Sequence, residues 1–517
     1  MSEMQGDAGL TGDKAGSGPA GAARSQRTQA PWEQILGPFD RRTGTLHAQL
    51  VRTFIAAIDA KKLPSGMRVP SGRDLSRMLG IGRNTAMLAL SDLVQRGYMV
   101  SRQRSGVYVA DRVHAPAAEP RTDAPAGAPD WATRFVFDSA TDAQSAMSVP
   151  PGDAKVNFLY GQFDAGLFPA GHWRECERAA LSVLEIAHWG RDMVDGDDVE
   201  LIDCLRKYIL PDCGIWANPD EIIVTLGGQQ GRYLVGQLLC RPGVKAGIEN
   251  PGMPDMAKIL RLTGAEIRPL DIDAHGLVPT AAVDQCDVVF VTSGHQCPTT
   301  AVMPRERRLE LLERARRHDF ILVEDTFETD LIREERLPSL KGMDADQRVV
   351  HVGSLSKLLA PGLRVGFVVA PAVVIKQLRA LRRLIHRHPP GNNQRALAMF
   401  IERGYHRAHL RRASREFRQR SAVLAAALGR WLPDFRWRHQ EGAASFWIEV
   451  PPDLDVHRLA AAAAHRGVLI EPGDRFFRSG DRPQNFIRLA VSSVTECDIE
   501  KGIRLLAEAR RALHRPG

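Results

Sequence analysis

The sequence has 517 residues, of which 44% are hydrophobic and 25% charged, and its formal net charge is +8. A chain of this length exceeds one ordinary hydrophobic core, so we expect two or three domains. The composition is typical of globular proteins and excludes a largely disordered or fibrous chain. The sequence contains no run of about 18 apolar residues, so we expect no membrane-spanning helix and no membrane partner.

The cysteines and the first residues favour a cytoplasmic protein. The seven cysteines are odd in number and scattered, without a C-x-x-C pair. This pattern is typical of a reduced protein without structural disulfides or a zinc cluster, so we expect no bound metal. Residues 1–25 are rich in Gly, Ala and Ser and lack the apolar segment of a secretory signal. Residues 1–43 show no apolar periodicity and are predicted to form a disordered tail.

Most of the excess positive charge lies in one short stretch. Residues 44–112 contain eleven Lys or Arg and four Asp, so this stretch holds +7 of the total of +8. A small segment that carries the surplus charge of a protein is typical of nucleic-acid binding.

The basic stretch has the pattern of three helices and a hairpin. Apolar residues at helical spacing predict a helix over residues 45–61. An S-x-x-D capping box at Ser71 opens a second helix, and a Gly-Ile-Gly turn precedes a third over residues 83–96. Alternating apolar residues around a polar tip predict a hairpin over residues 98–109. These elements in this order predict a winged helix-turn-helix.

This segment resembles the GntR-type DNA-binding domain. The stretches R-V-P-S-G-R-D-L-S, L-G-I-G-R-N-T-A and R-S-G-V-Y-V within residues 68–109 match the family pattern, and Gly82 departs from it, because the family usually has a serine there. The resemblance implies that the third helix and the wing contact double-stranded operator DNA. The implied contact residues are Arg73, Arg83, Asn84, Thr85, Arg102, Arg104, Ser105 and Gly106. Any one of these arginines could instead be a solvated surface residue.

A Pro- and Ala-rich stretch, residues 113–152, predicts a semi-rigid linker between the head, residues 44–112, and a larger domain, residues 153–517. In the larger domain, apolar strand patterns alternate with helical patterns such as residues 305–318. The strand patterns lie at residues 221–226, 288–292, 320–325, 349–353 and 365–369. This alternation predicts a mostly parallel sheet covered by helices.

A glycine-rich turn, Gly227–Gly231, directly follows the first of these strands and opens a helix. Bare backbone N–H groups at the positive end of a helix dipole form a cradle for anions. Turns of this composition also serve simple chain reversal, so the turn alone does not identify a site.

Lys357 follows a buried strand, with Ser354, Ser356 and Arg364 near it in sequence. Lysine forms Schiff bases with aldehydes, and hydroxyls together with arginine bind phosphate monoesters. Pyridoxal 5'-phosphate (PLP) is an aldehyde that carries a phosphate. Asp325 ends another apolar strand, where a carboxylate can hold a protonated pyridine nitrogen. A helix-capping role for Asp325 is the alternative.

With these motifs in order, the chain is identified as a member of the MocR-type regulators of the GntR superfamily, and residues 156–510 resemble fold-type I PLP aminotransferases. The matching stretches are T-L-G-G-Q-Q at 225, E-N-P-G-M-P at 249, S-G-H-Q-C-P at 293, V-E-D-T-F at 323, S-L-S-K at 354 and F-I-R-L at 486. The resemblance implies a multidomain protein: an N-terminal winged helix-turn-helix, then an α/β domain with a large parallel or mixed sheet and a smaller C-terminal α+β part. It also implies a head-to-tail homodimer.

The resemblance implies a role for each matching residue. Lys357 would form the Schiff base, Asp325 would face the pyridine nitrogen, and Arg488 would clamp a carboxylate of the effector. Further contacts with the cofactor would come from Gly228, Gln229, His295, Phe327, Ser354, Ser356 and Arg364.

Phe327 and Met253 stand where the family has tyrosines. Loss of both hydroxyls is expected to weaken the control of proton transfer that efficient amino transfer requires. We therefore interpret the chain as a DNA-binding transcriptional regulator, cytoplasmic and nucleoid-associated, that senses a small amine or amino acid through the imine of Lys357. Two alternatives stay open: an active aminotransferase with a fused DNA-binding head, and a regulator that senses PLP itself.

Overall fold

The structure is a computed structural model that describes residues 32–36, 44–111, 129–135, 154–193, 195–326, 337–355, 359–440, 442–478 and 483–513. The chain divides into two compact units, Met1–Thr133 and Arg134–Gly517. Within the described ranges, no helix is both long enough and apolar enough to cross a membrane.

The described part of the first unit consists of four helices and a hairpin. The helices are α1 (Trp32–Leu36), α2 (Leu46–Asp59), α3 (Gly72–Leu79) and α4 (Arg83–Gln95), and the strands are β1 (Met99–Arg102) and β2 (Gly106–Val109). Ser71 caps α3, because its Oγ accepts a hydrogen bond from the backbone N–H of Asp74 at 3.2 Å. The antiparallel strands β1 and β2 form the wing. The predicted winged helix-turn-helix is therefore confirmed.

Helix α1 lies within the stretch that the sequence predicts to be a disordered tail. Trp32 and Leu36 are buried in the core of the first unit, and the ring centroids of Trp32 and Phe54 are 6.3 Å apart. The prediction is therefore wrong at these five residues, because one and a half turns are too short to show helical periodicity. Residues 1–31 and 37–43 lie outside the described residues.

Only residues 129–135 of the predicted linker are described. They contain a short 3-10 helix, Trp131–Arg134, and the Trp131 side chain is 63% exposed. The semi-rigid character of the remainder stays a prediction.

The second unit alternates strands and helices. Its strands are β3 (Val156–Asn157), β4 (Ile222–Thr225), β5 (Lys245–Asn250), β6 (Glu266–Asp273), β7 (Gly276–Leu277), β8 (Val288–Val291), β9 (Ile321–Asp325), β10 (Val349–Ser354), β11 (Gly366–Val369), β12 (Arg436–Arg438), β13 (Ser445–Glu449), β14 (Val468–Leu469), β15 (Glu471–Pro472) and β16 (Phe486–Ala490). Its helices are α5 (Ala170–Ala180), α6 (Val183–Trp189), α7 (Val199–Cys204), α8 (Gly227–Leu239), α9 (Pro254–Thr263), α10 (Ala281–Asp284), α11 (Arg305–His318), α12 (Ala372–His386), α13 (Gly391–Glu402), α14 (Tyr405–Trp431), α15 (Val456–Ala464) and α16 (Glu496–Leu513).

Eight strands form one sheet in the order β4-β11-β10-β9-β8-β5-β6-β7. The pairs β10–β9, β9–β8, β8–β5 and β5–β6 are parallel, whereas β11 is antiparallel to both of its neighbours. Strands β4, β8 and β11 are buried along their whole length, as expected when helices cover both faces of a sheet. The predicted, mostly parallel sheet is confirmed.

A second, antiparallel sheet of strands β12-β13-β16-β15 lies in the C-terminal part of the unit. Its core includes Phe446 and Ile487 from the sheet, Leu428 from α14 and Leu506 from α16. Strand β3 pairs with β14, so the start of the unit packs within this C-terminal part. The smaller α+β part expected from the resemblance is therefore present.

Candidate functional site

The carboxyl ends of three strands, β4, β9 and β10, meet at one end of the large sheet. Val352 of β10 lies opposite Asp325 of β9. Gly366 of β11 lies opposite both Ser354 of β10 and Thr225 of β4. Residues from three distant stretches of the chain therefore lie close together, at the carboxyl ends of strands where ligands bind in open α/β sheets.

A cavity of about 420 Å³ opens at this edge, a volume within the range of about 300–1,000 Å³ that is usual for small-molecule sites. Five residues predicted to bind the cofactor line it: Gly228, Gln229, Asp325, Ser354 and Arg364. The structure therefore brings four of the predicted phosphate contacts and the predicted pyridine partner to one cavity.

The glycine-rich turn lies directly beside the side chain of Arg364. Gly227 has a φ of +74°, a conformation that favours glycine, and a Cβ placed there would lie 3.1 Å from Nη2 of Arg364. The Arg364 Nη2 donates to the carbonyl oxygen of Leu226 at 2.8 Å, so its guanidinium lies beside the start of α8. A guanidinium next to the N-terminus of a helix fits a phosphate group, and the site therefore fits PLP.

Asp325 is buried at the end of β9, and Arg232 of α8 pairs with it. The Nη1 of Arg232 donates to Oδ2 of Asp325 at 2.5 Å, and its Nη2 donates to Oε1 of Gln229 at 2.5 Å. The sequence analysis did not single out Arg232. Its position one helical turn after Gly228 could have indicated that it faces the same cavity.

Next to this ion pair lies a smaller cavity of about 30 Å³, lined by Arg232, Asp325, Glu249 and Met253 among others. Burial raises the pKa of Glu249 to about 7, although Thr292 donates a hydrogen bond to its carboxylate. Met253, one of the two departures from the family tyrosines, therefore lies beside the proposed ring-binding end of the site.

Three residues of the predicted site lie outside the described residues. They are Lys357, Ser356 and Phe327. Their roles stay predictions.

Arg488 lies on β16, buried and already paired. Its Nε donates to Oε2 of Glu471 on β15 at 2.7 Å, and its guanidinium lies 4.1 Å from the ring centroid of Tyr160. Tyr160 lines the 420 Å³ cavity, whereas Arg488 lies behind this ring. The sequence carried no signal for Glu471, because its pairing with Arg488 comes from the register of two strands.

His295 is 2% exposed and is not among the residues that line the described cavities. Its predicted contact with the cofactor stays a prediction.

In the first unit, the predicted DNA contacts lie on an exposed face. Arg83 and Asn84 are exposed in the first turn of α4, Thr85 is half-buried, and Arg73 is exposed at the start of α3. The two helices cross closely, since a Cβ placed at Gly72 would lie 2.5 Å from Sδ of Met87. Gly82 provides no side-chain cap for α4.

The wing places Arg102, Arg104 and Gly106 in solvent. The guanidinium of Arg102 lies 4.7 Å from the ring centroid of Tyr108, which holds it against the hairpin. Gly106 has a φ of +114°, and a Cβ there would lie 3.3 Å from Nε of Arg68. Arg68 therefore belongs to the same basic tip, although the sequence analysis did not assign it a contact.

Two family models match the chain. Residues 167–506 match aminotransferase class I and II, and residues 46–109 match the bacterial regulatory proteins of the gntR family. The two matched segments correspond to the domain with the cavity and to the winged helix-turn-helix.

Known proteins of similar sequence and structure combine or share these segments. The HTH-type transcriptional regulator TauR of Rhodobacter capsulatus is 39% identical over 90% of this chain and 97% of its own length. The probable rhizopine catabolism regulatory protein MocR of Rhizobium meliloti is 28% identical over 91% of this chain and 95% of its own. The crystal structure of the alpha-aminoadipate aminotransferase LysN of Thermus thermophilus, complexed with N-(5'-phosphopyridoxyl)-L-leucine, covers 74% of this chain and 99% of its own, with 25% identity and a TM-score of 0.65.

Proposed function

The chain belongs to the aminotransferase class I and II family and, through its gntR-family segment, to the MocR-type transcriptional regulators, and from this premise we propose that it regulates transcription in response to an amine-bearing metabolite. The winged helix-turn-helix binds operator DNA, and the aminotransferase-like domain, residues 153–517, is the sensor. The protein would act in the cytoplasm on nucleoid DNA.

The observation that carries this proposal is the cavity that combines Asp325 with a phosphate cradle at Gly228 and Arg364. PLP bound there supplies an aldehyde carbon that exchanges one amine for another. The N-terminus of α8 and Arg364 would hold the phosphate. Asp325 would lie at the ring-nitrogen end, and Lys357 would provide the covalent link that an incoming amine replaces.

The effector class follows from the groups near the cavity. An amine is required to compete with Lys357. Arg488 favours an additional acidic group on the effector, although Glu471 already occupies one edge of its guanidinium. Amino acids and related amines are therefore the proposed effectors.

The test is a screen of amines against the PLP-loaded full-length protein, followed by its visible absorption. We expect a subset of amines to shift the absorption band of the wild type and to change its affinity for operator DNA. Lys357→Ala should show neither response. Lys341→Ala is the matched control, because Lys341 lies in the same unit and pairs with Asp344 at 3.2 Å; it should behave as the wild type. A wild type that stays colourless with PLP, or that responds to no amine, would contradict the proposal.

The match to aminotransferases over residues 167–506 favours a second candidate, an active aminotransferase with a DNA-binding head. Repeated turnover of an amino acid and a keto acid by the PLP-loaded protein would support it. A single exchange without turnover would support the sensor.

A further inference from the structure

Arg232 binds the carboxylate that is proposed to face the ring nitrogen of PLP. Its Nη1 lies 2.5 Å from Oδ2 of Asp325, and each side chain of this ion pair is only 12% exposed. The Nη2 of Arg232 is anchored to Gln229, the residue next to the phosphate cradle. The guanidinium is therefore held by Asp325 at the proposed ring-nitrogen end of the cofactor site and by Gln229 at the proposed phosphate end.

Among the described residues, the other charged side chains that line the two adjoining cavities are Asp164, Asp255, Glu249 and Arg364. Gln229 connects Arg232 to Asp255 through a hydrogen bond of 3.3 Å from its Nε2 to Oδ2 of Asp255. Glu249 lines the adjoining 30 Å³ cavity, and burial raises the pKa of Glu249 to about 7, so much of its carboxyl group is neutral at neutral pH. Asp325 is therefore the main counter-charge of Arg232.

Two of the residues that line this small cavity each have a buried polar atom with unused hydrogen-bonding capacity. Within the described part of the chain, neither Nε of Arg232 nor Oε1 of Glu249 has a hydrogen-bond partner. A cavity of about 30 Å³ between polar groups can hold a water molecule.

A pyridine nitrogen is weakly basic, and a carboxylate beside it favours its protonated form, whereas a nearby cation disfavours that form. An arginine bound to the carboxylate offsets the effect of the carboxylate. A guanidinium also donates hydrogen bonds and accepts none, so it suits a nitrogen with a lone pair and not a nitrogen that carries a proton.

We infer that Arg232 is a positioning residue that neutralises Asp325 and thereby keeps the ring nitrogen of bound PLP unprotonated. This inference rests on the proposed function, because it requires PLP in this cavity. A ring with an unprotonated nitrogen withdraws electrons weakly. It therefore supports the exchange of amines at the aldehyde carbon better than the removal of a Cα proton, which amino transfer requires. Arg232 would thus bias the site towards sensing.

The test uses the full-length protein loaded with PLP that carries nitrogen-15 in its ring, and the nitrogen chemical shift is followed during a pH titration. In the wild type we expect the shift of a neutral pyridine at neutral pH. In Arg232→Leu, the pH of half-protonation should rise by about 1–3 units. Arg232→Lys should restore most of the wild-type behaviour. Arg348→Leu is the matched control and should titrate as the wild type, because Arg348 pairs with the exposed Asp319.

A second measurement is the single-turnover amino transfer from an added amino acid, which Arg232→Leu should accelerate by about tenfold for each unit of that rise. A ring nitrogen that is already protonated in the wild type at neutral pH, or a titration that is unchanged in Arg232→Leu, would overturn the inference while the proposed function stands. If Arg232→Leu does not bind PLP, the wild-type titration alone tests the inference: an unprotonated ring nitrogen at neutral pH supports it, and a protonated one overturns it. A wild type that binds no PLP overturns both.

Discussion

Arg488 carries a positive charge into the interior of the second unit, where Glu471 lies 2.7 Å from its Nε. Burial alone would lower the pKa of Arg488, but the neighbouring Glu471 carboxylate outweighs burial and raises it. Arg488 therefore stays charged and is already partly neutralised. Under the proposed function, an effector carboxylate would have to compete with Glu471 for this guanidinium, which would reduce the preference for acidic effectors.

Glu471→Gln tests this competition. The amide keeps a hydrogen-bond acceptor for Arg488 but removes the negative charge, so we expect tighter binding of amines that carry a carboxylate. The gain should be about 10- to 150-fold, because a hydrogen bond to a charged group contributes about 1.5–3 kcal/mol. Spectral titration of the PLP-loaded protein measures the affinity. An amine of the same length without a carboxylate is the control ligand, and an equal gain for both ligands would contradict the expected competition.

Glu249 gives the second unit a pH-dependent stability of known sign. Its pKa is raised by burial to about 7, from an unfolded value near 4.5. Below about pH 4.5 both states hold the proton. As the pH rises towards 7, the unfolded state releases the proton while the folded state retains it, so the free energy of unfolding falls.

We therefore expect Glu249→Gln to remove this loss of stability. Between pH 5 and pH 8 the wild type should lose about 2–3 kcal/mol more than the variant, at about 1.4 kcal/mol per unit of pKa difference. Urea unfolding of the full-length protein, followed by tryptophan fluorescence, measures the difference. Parallel pH profiles for the two proteins would show that Glu249 does not carry the proton.

At the scale of elements, the first turn of α4 carries the predicted contacts with DNA. Arg83→Ala should weaken binding to operator DNA and reduce the slope of log affinity against log salt by about one, since one phosphate contact is lost. Arg96→Ala is the matched control. Arg96 follows the other end of α4 and pairs with Asp92 at 2.5 Å, so its loss should leave the slope unchanged. Equal effects of the two variants, measured by fluorescence anisotropy, would contradict the assignment.

Helix α1 is expected to contribute to the stability of the winged helix-turn-helix. Trp32 is 7% exposed and packs near Phe54, so Trp32→Ala should lower the free energy of unfolding of this unit by about 3–5 kcal/mol. Trp131→Ala is the control, because Trp131 is 63% exposed and its truncation should change stability by less than about 0.5 kcal/mol. Hydrogen exchange in residues 44–111 of the full-length variants measures both effects. Exchange should be faster in Trp32→Ala and nearly unchanged in Trp131→Ala.

The periodic elements could be predicted from the sequence, whereas pairings between distant residues could not. Helix α11 has the predicted bounds, Arg305–His318. Its charged residues identify the solvent-exposed face of the helix, and Pro304 identifies its start. Strand β9 ends at Asp325 as predicted. By contrast, the Arg232–Asp325 and Arg488–Glu471 pairs depend on how a helix packs on the sheet and on strand register. The helical spacing of Arg232 from Gly228 could have placed Arg232 at the cavity, but no local pattern gives either pairing, so sequence analysis found one member of each pair and missed the other.

At the scale of the whole molecule, the resemblance predicts a homodimer, which would suit an operator with two symmetric half-sites. An exposed apolar segment on the second unit supports self-association. Every residue of α6 is at least partly exposed, although the helix contains Val183, Leu184 and Ile186, which are 86%, 81% and 41% exposed. The helix is anchored, since Glu185 pairs with Arg395 of α13 at 2.5 Å. A fixed run of exposed apolar side chains is typical of a protein interface.

Leu184→Arg should therefore convert the dimer into a monomer, because a charge would have to be buried at the interface without a partner. The monomer should bind a single half-site as well as the wild type does. Its affinity for paired half-sites should fall by about 100-fold or more, since the second contact no longer benefits from linkage to the first. Sedimentation velocity and anisotropy with one-site and two-site DNA measure both effects.

Leu309→Arg on α11 is the matched control, with Leu309 47% exposed, and it should remain dimeric. A Leu184→Arg variant that stays dimeric would place the interface elsewhere on the second unit, whereas a monomeric variant with full two-site affinity would mean that operator binding does not depend on the dimer.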